Sequence, residues 1–62
     1  MDQNFLLTYS FENNEGMYDQ NFGWYETREE MIEDIEAKES CLKDFKIIEA
    51  IEILNSRKME LA

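Results

Sequence analysis

An α+β domain of the form ββαβ follows from three features of the chain. Two segments near the start alternate apolar and polar residues, a capped segment repeats at helical spacing, and an isoleucine-rich segment comes after it. Residues 5–11 read Phe-Leu-Leu-Thr-Tyr-Ser-Phe, with Phe5, Leu7, Tyr9 and Phe11 alternating against Leu6, Thr8 and Ser10. A period of two with one apolar face predicts a strand. Glu12-Asn13-Asn14-Glu15-Gly16 reads as a turn, because Asn and Gly accept backbone angles that other residues resist. In residues 17–25, Tyr18, Gln20, Phe22 and Trp24 alternate with Met17, Asp19, Asn21, Gly23 and Tyr25. This is a second strand, with Gly23 a candidate bulge, and the short loop makes the pair an antiparallel hairpin.

Thr27-Arg28-Glu29-Glu30 is a capping box: the Thr27 hydroxyl accepts from the Glu30 amide while the Glu30 carboxylate reaches back. Acids in the first turn also suit the positive end of the helix dipole. Met31, Ile32, Ile35 and Leu42 then fall on one stripe, which predicts a helix over about 28–41. Residues 46–54 contain four isoleucines, and either a helix or a strand fits them. Strand is preferred on β-branching, with Phe45, Ile47, Ile51 and Ile53 on one face and Glu49 interrupting it. Residues 55–62 form a tail in which Met59 and Leu61 are candidates to dock. The expected sheet is three-stranded and antiparallel, in the order 2-1-3, with the helix on one face and the other face bare.

The net charge of −9 is unevenly placed. Residues 1–36 hold ten carboxylates against the single cation Arg28, whereas residues 37–62 hold five acids and five cations. Such a field repels nucleic acid and anionic membrane and attracts basic protein surfaces. Glu29, Glu30, Glu33, Asp34, Glu36 and Glu39 put six carboxylates across ten helical steps. At 1.5 Å per residue that is about one charge per 2.5–3 Å, close to the ~3.4 Å spacing of one DNA strand. The plainer reading is a solvated helix face. Against it, Glu29/Glu33 and Glu30/Asp34 are like charges at i,i+4, which weaken the helix, and both signs are mixed only after residue 36. These six residues are the candidate partner-binding set. Asp2, Glu12, Glu15 and Asp19 are candidates to extend the field. Phe22, Trp24 and Tyr25 are core rings or, on the bare sheet face, anchors for a dimer or a partner.

Catalytic chemistry is not indicated. The chain has no histidine, so neither an ordinary neutral-pH base nor a Ser-His or Cys-His pair exists. Cys41 is a lone thiol, which permits no intrachain disulfide and no structural zinc site, and is read as buried or at a helix end. Paired carboxylates remain conceivable, but 62 residues seldom enclose a substrate cleft. The two glycines form no phosphate-cradling motif. Asp19, Asn21, Gly23, Thr27 and Glu30 occupy positions 1, 3, 5, 9 and 12 of a calcium-loop register, yet Trp24 stands where the turn glycine belongs. No metal and no cofactor are expected. Neither an export signal nor a membrane span is expected, and a lone thiol fits a reducing cytoplasm.

A chain this short buries only about 60% of its unfolded surface. A homodimer, or a place in a larger complex, is therefore expected. In size, acidity, single-domain build and lack of catalytic residues, the chain resembles small acidic bacteriophage proteins that inhibit host or defence machinery, including anti-CRISPR proteins and DNA mimics. The resemblance covers the whole chain through these overall properties. It implies a non-enzymatic inhibitor or modulator whose partner is a basic, nucleic-acid-binding protein such as a CRISPR effector. The competing reading is a self-associating structural or adaptor module whose aromatic sheet face makes the dimer, the acids serving solubility. A carboxylate-only metal protein is a third reading, and an enzyme comes last.

Overall fold

A computed structural model describes residues 3–59. The elements are β1 (Phe5–Glu12), β2 (Tyr18–Tyr25), α1 (Arg28–Cys41), β3 (Lys43–Glu52) and β4 (Arg57–Lys58). The α+β class and the antiparallel core order 2-1-3 are as expected, but the sheet has four strands in the order β2-β1-β3-β4. The fourth strand corrects the reading of 55–62 as a tail. Ile51 and Glu52 pair with Lys58 and Arg57, and the Met59 amide donates to the Ala50 carbonyl at 2.7 Å. Met59 packs on the core as anticipated, whereas Leu61 and Asp2 lie outside the described residues.

The hairpin turn is built by Asn13, whose side-chain oxygen accepts from the Glu15 and Met17 amides at 2.9 and 3.0 Å. Gly16 takes a φ of 79°, which favours glycine. Helix α1 starts where the capping residues place it. Thr27 is extended, and its hydroxyl accepts from the Glu30 amide at 3.1 Å.

Strand β3 begins earlier than the isoleucine run and ends sooner, at Lys43–Glu52 rather than 46–54. Its register explains the interruption by Glu49. Thr8 faces Glu49 while Tyr9 faces Ile47, so Ile48 is the extra residue of a bulge. One extra residue inverts the alternation downstream. Ala50, opposite Leu7, takes the covered face, and Glu49 and Ile51, opposite Thr8 and Leu6, take the bare one. The expectation that Ile51 shares a face with Phe45 and Ile47 is corrected by this bulge, and Ile53 lies beyond the strand.

The core lies between α1 and one sheet face. Leu7, Tyr9, Tyr25, Met31, Ile35 and Ala50 are buried there, with Phe5, Phe11, Leu42, Phe45 and Met59 packed around them. Ile32 of the expected stripe is only half-buried and lies outside this cluster. Gly23 is not a bulge, since it pairs in register with Leu7. Its role is space: a Cβ there would come within 2.5 Å of the Tyr25 hydroxyl oxygen. The Tyr25 ring lies along its own strand, over the residue two positions back. Gly23→Ala is expected to displace that ring and cost about 1–3 kcal/mol in urea unfolding. A Gly23→Ala, Tyr25→Phe double variant should lose less than the sum of the single losses, because both disturb one ring.

Candidate interaction surfaces

The helix joins the sheet through polar groups as well as apolar ones. At about 100° per residue, Met31, Ile35, Lys38 and Leu42 share the inward stripe, and Asp34 sits at its edge. Asp34 accepts a short hydrogen bond from the Tyr25 hydroxyl. Lys38 Nζ lies 3.1 Å from Asp34 Oδ2 and stands 5.3 Å above the Tyr9 ring centroid. Tyr9 in turn stacks, tilted, on Phe45 at 5.4 Å between centroids. Four residues from α1, β1 and β2 thus form one half-buried unit.

The unit shifts its own titrations. Burial, then the bond to Asp34, pushes the Tyr25 hydroxyl well above the usual tyrosine value. Burial alone would raise Asp34, but hydrogen bonds from Tyr25 and Lys38 and the lysine charge outweigh it and hold its carboxyl low. Burial alone would lower Lys38, and the Asp34 bond and charge outweigh that too, raising it.

Asp34 therefore leaves the candidate partner-binding set: it faces the sheet and is already engaged. Glu29, Glu33 and Glu36 occupy the outward centre of α1, with Glu30 on one flank and Glu39 on the other, all exposed. Among the described residues none of these five enters an ion pair. Three of the cations are engaged on the sheet: Lys43 with Glu12 at 3.2 Å, Arg57 with Glu52 at 3.2 Å, and Lys58 with Glu49 at 3.3 Å. These exposed pairs add little stability. They do neutralise the sheet locally. Glu15 is exposed in the turn and Asp19 accepts from the Asn13 side chain at 3.0 Å, so neither joins the helix field.

The ring residues separate by strand parity. Tyr25 is buried on the covered face, so it is a core ring and not an anchor. Phe22 and Trp24 lie on the bare face, opposite Thr8 and Leu6. Leu6 also faces Ile51, which makes a continuous apolar row Trp24–Leu6–Ile51 across three strands. Ile48 lines a shallow depression with Thr8, Gln20 and Phe22. At the far end the Tyr18 hydroxyl donates to Asp44 Oδ2 at 2.7 Å, a bond that raises the Tyr18 pKa. Asp44 holds a φ of 55°, one of the few residue types that tolerate it.

The calcium-loop residues do not form a loop. Asp19, Asn21 and Gly23 lie along β2, and Thr27 caps α1. Cys41 is exposed at the end of α1, beside a groove lined by Phe11, Leu42 and Lys43. Among the described residues no helix is long and apolar enough to cross a membrane. No protein-family model, curated protein or solved structure matches the chain.

A pH dependence of stability follows from the shifted groups. Asp34 titrates below its unfolded value, so its contribution is full above about pH 5 and is lost as pH falls through the folded value. Tyr25 and Lys38 titrate above theirs, so their contributions are full below about pH 9 and decline as pH rises past 10. Acid also relieves the repulsion among carboxylates. The Asp34 share is therefore read from the difference between wild type and Asp34→Asn across a urea-midpoint series, and it should shrink toward low pH. Tyr25→Phe should cost about 1–2 kcal/mol at neutral pH and flatten the alkaline decline.

Proposed function

We propose that this chain is a non-enzymatic binding module that docks the outward face of α1 on a basic protein surface and thereby inhibits or modulates that protein. The observation that carries the reading is the division of charge. Among the described residues, Glu29, Glu33 and Glu36 stand exposed along one helix face and enter no ion pair, while three of the cations neutralise sheet carboxylates. An isolated helix would be more stable with mixed signs along that face. With Glu30 and Glu39 on the flanks, five exposed carboxylates over about 15 Å give about one charge per 3–4 Å, close to the ~3.4 Å spacing of one nucleic-acid strand. The favoured partner is accordingly a nucleic-acid-binding protein, a CRISPR effector being one of the kind, and the protein acts as a phage-encoded inhibitor in the bacterial cytoplasm. The remaining acids serve solubility and steering.

The test is capture of partners from bacterial lysate by the wild-type chain and by Glu29→Lys, Glu33→Lys, Glu36→Lys together. A specific partner should be retained by wild type at low salt, lost by the triple variant, and released by added duplex DNA. Retention should fall by about tenfold or more between roughly 50 and 300 mM salt. Retention that ignores salt, or survives the triple reversal, overturns the electrostatic reading.

A further inference from the structure

We infer that the bare sheet face binds a second copy of this chain, the two sheets packing face to face with the acidic helices outermost. The first support is the patch itself. Phe22, Trp24 and Ile48 are 60%, 43% and 52% exposed, and they adjoin Leu6 and Ile51 in neighbouring strands. Tyr18, 62% exposed, extends the face at its other end. An aromatic side chain carries about 150–250 Å², so the three rings alone leave roughly 250–400 Å² in water. With the isoleucines and the polar rim, each copy offers roughly 500 Å², so a pair buries about 1,000 Å², the size at which an interface becomes specific. The share of each copy is about a tenth of the 4654 Å² surface of the chain.

The second support is charge. Two chains of −9 repel unless they meet where charge is compensated. On the bare face Glu12 is bridged to Lys43 and Glu49 to Lys58, and the Lys46 cation offsets the Asp44 carboxylate that Tyr18 holds, so the face is neutral. This face does not repel its copy. With roughly 10 Å per layer, face-to-face packing sets the two helices about 30 Å apart, beyond three Debye lengths at physiological salt. The third support is the small core: among the described residues only Leu7 and Met31 have fully buried side chains, and a chain this size gains from a second layer. A sandwich of two aligned sheets supplies that layer. The inference does not depend on the helix having a partner.

Sedimentation of the full chain from roughly 1 μM to 1 mM tests it. A species of twice the 7.5 kDa chain mass is expected. Trp24 emission should move to shorter wavelength as it forms, and the dimer should hold or tighten as salt rises. Phe22→Lys is expected to weaken association by about 100-fold or more, since each substitution occurs twice in the interface. Ile48→Lys, on a different strand, should do the same. Circular dichroism of both variants checks that the fold is kept, and if one variant unfolds the other decides. Glu33→Gln should leave association unchanged. A monomer throughout the range, or a dimer indifferent to both lysine variants, overturns the inference. So does a dimer that newly protects the outward amides of β2 from exchange, which would mean edge-to-edge pairing.

Discussion

One helix can cover only one face of this sheet, and most of the molecule follows from that limit. At 1.5 Å per residue, the 14 residues of α1 span about 21 Å, enough to lie along strands of eight to ten residues. Every buried side chain among the described residues is therefore on one side of the sheet or on the helix above it. The period-two alternation of β1 and β2 then has no choice but to send Leu6, Phe22 and Trp24 to the other side. Their exposure is a consequence of how strands are built, given a single covering element.

The same limit explains the polar unit between helix and sheet. Met31, Ile35 and Leu42 are the helix's apolar contribution to the core, a thin stripe for 14 residues. Asp34 and Lys38 fill the remaining inward positions and would be costly there without partners. Tyr25 and Tyr9 supply them, with a hydroxyl for the carboxylate and a ring face for the ammonium. Gly23 leaves the space that lets the Tyr25 ring lie along its own strand. The arrangement fixes the helix at one position over the hairpin, because a shift of one turn would leave a buried ring hydroxyl and a carboxylate unpaired. Directional contacts of this kind specify a register that an equally small apolar stripe would leave loose.

The hairpin, the helix bounds and the central strand order were legible because each rests on local patterning: alternation, a turn carrying Asn13, Asn14 and Gly16, and a capping threonine. The bulge at Ile48 was not, since it needs only one extra residue and no glycine or proline marks it. It is visible only in the pairing with β1, yet it moves Glu49 and Ile51 to the opposite face. Strand β4 is two residues long and exists through its pairing with Ile51 and Glu52, so no local signal could announce it. The candidate site was partly recoverable. Tyr25 has the parity of Gly23 and not of Trp24, so the alternation already separated it from Phe22 and Trp24. Asp34 lies about 40° beyond Lys38 around the helix, which places it at the edge of the inward stripe once that stripe is drawn through Lys38. What the sequence could not show was the Tyr25–Asp34 contact that makes an inward carboxylate tolerable.

The charge asymmetry becomes, in three dimensions, a difference between two faces of one thin molecule. The sheet side mixes signs because cross-strand neighbours can pair, as Glu12 does with Lys43 and Glu49 with Lys58. The helix side is left with carboxylates alone at its centre. The proposed docking face and the proposed self-association face are therefore opposite surfaces, and neither would obstruct the other. In a face-to-face pair the two acidic helices would point in opposite directions, so one flat basic surface could engage only one of them. A gain from bivalency would then require either a cleft with two basic walls or two separate partners bridged by the pair. The geometry thus ties the stoichiometry of any complex to the shape of the partner: one pair for a cleft, one pair between two flat surfaces.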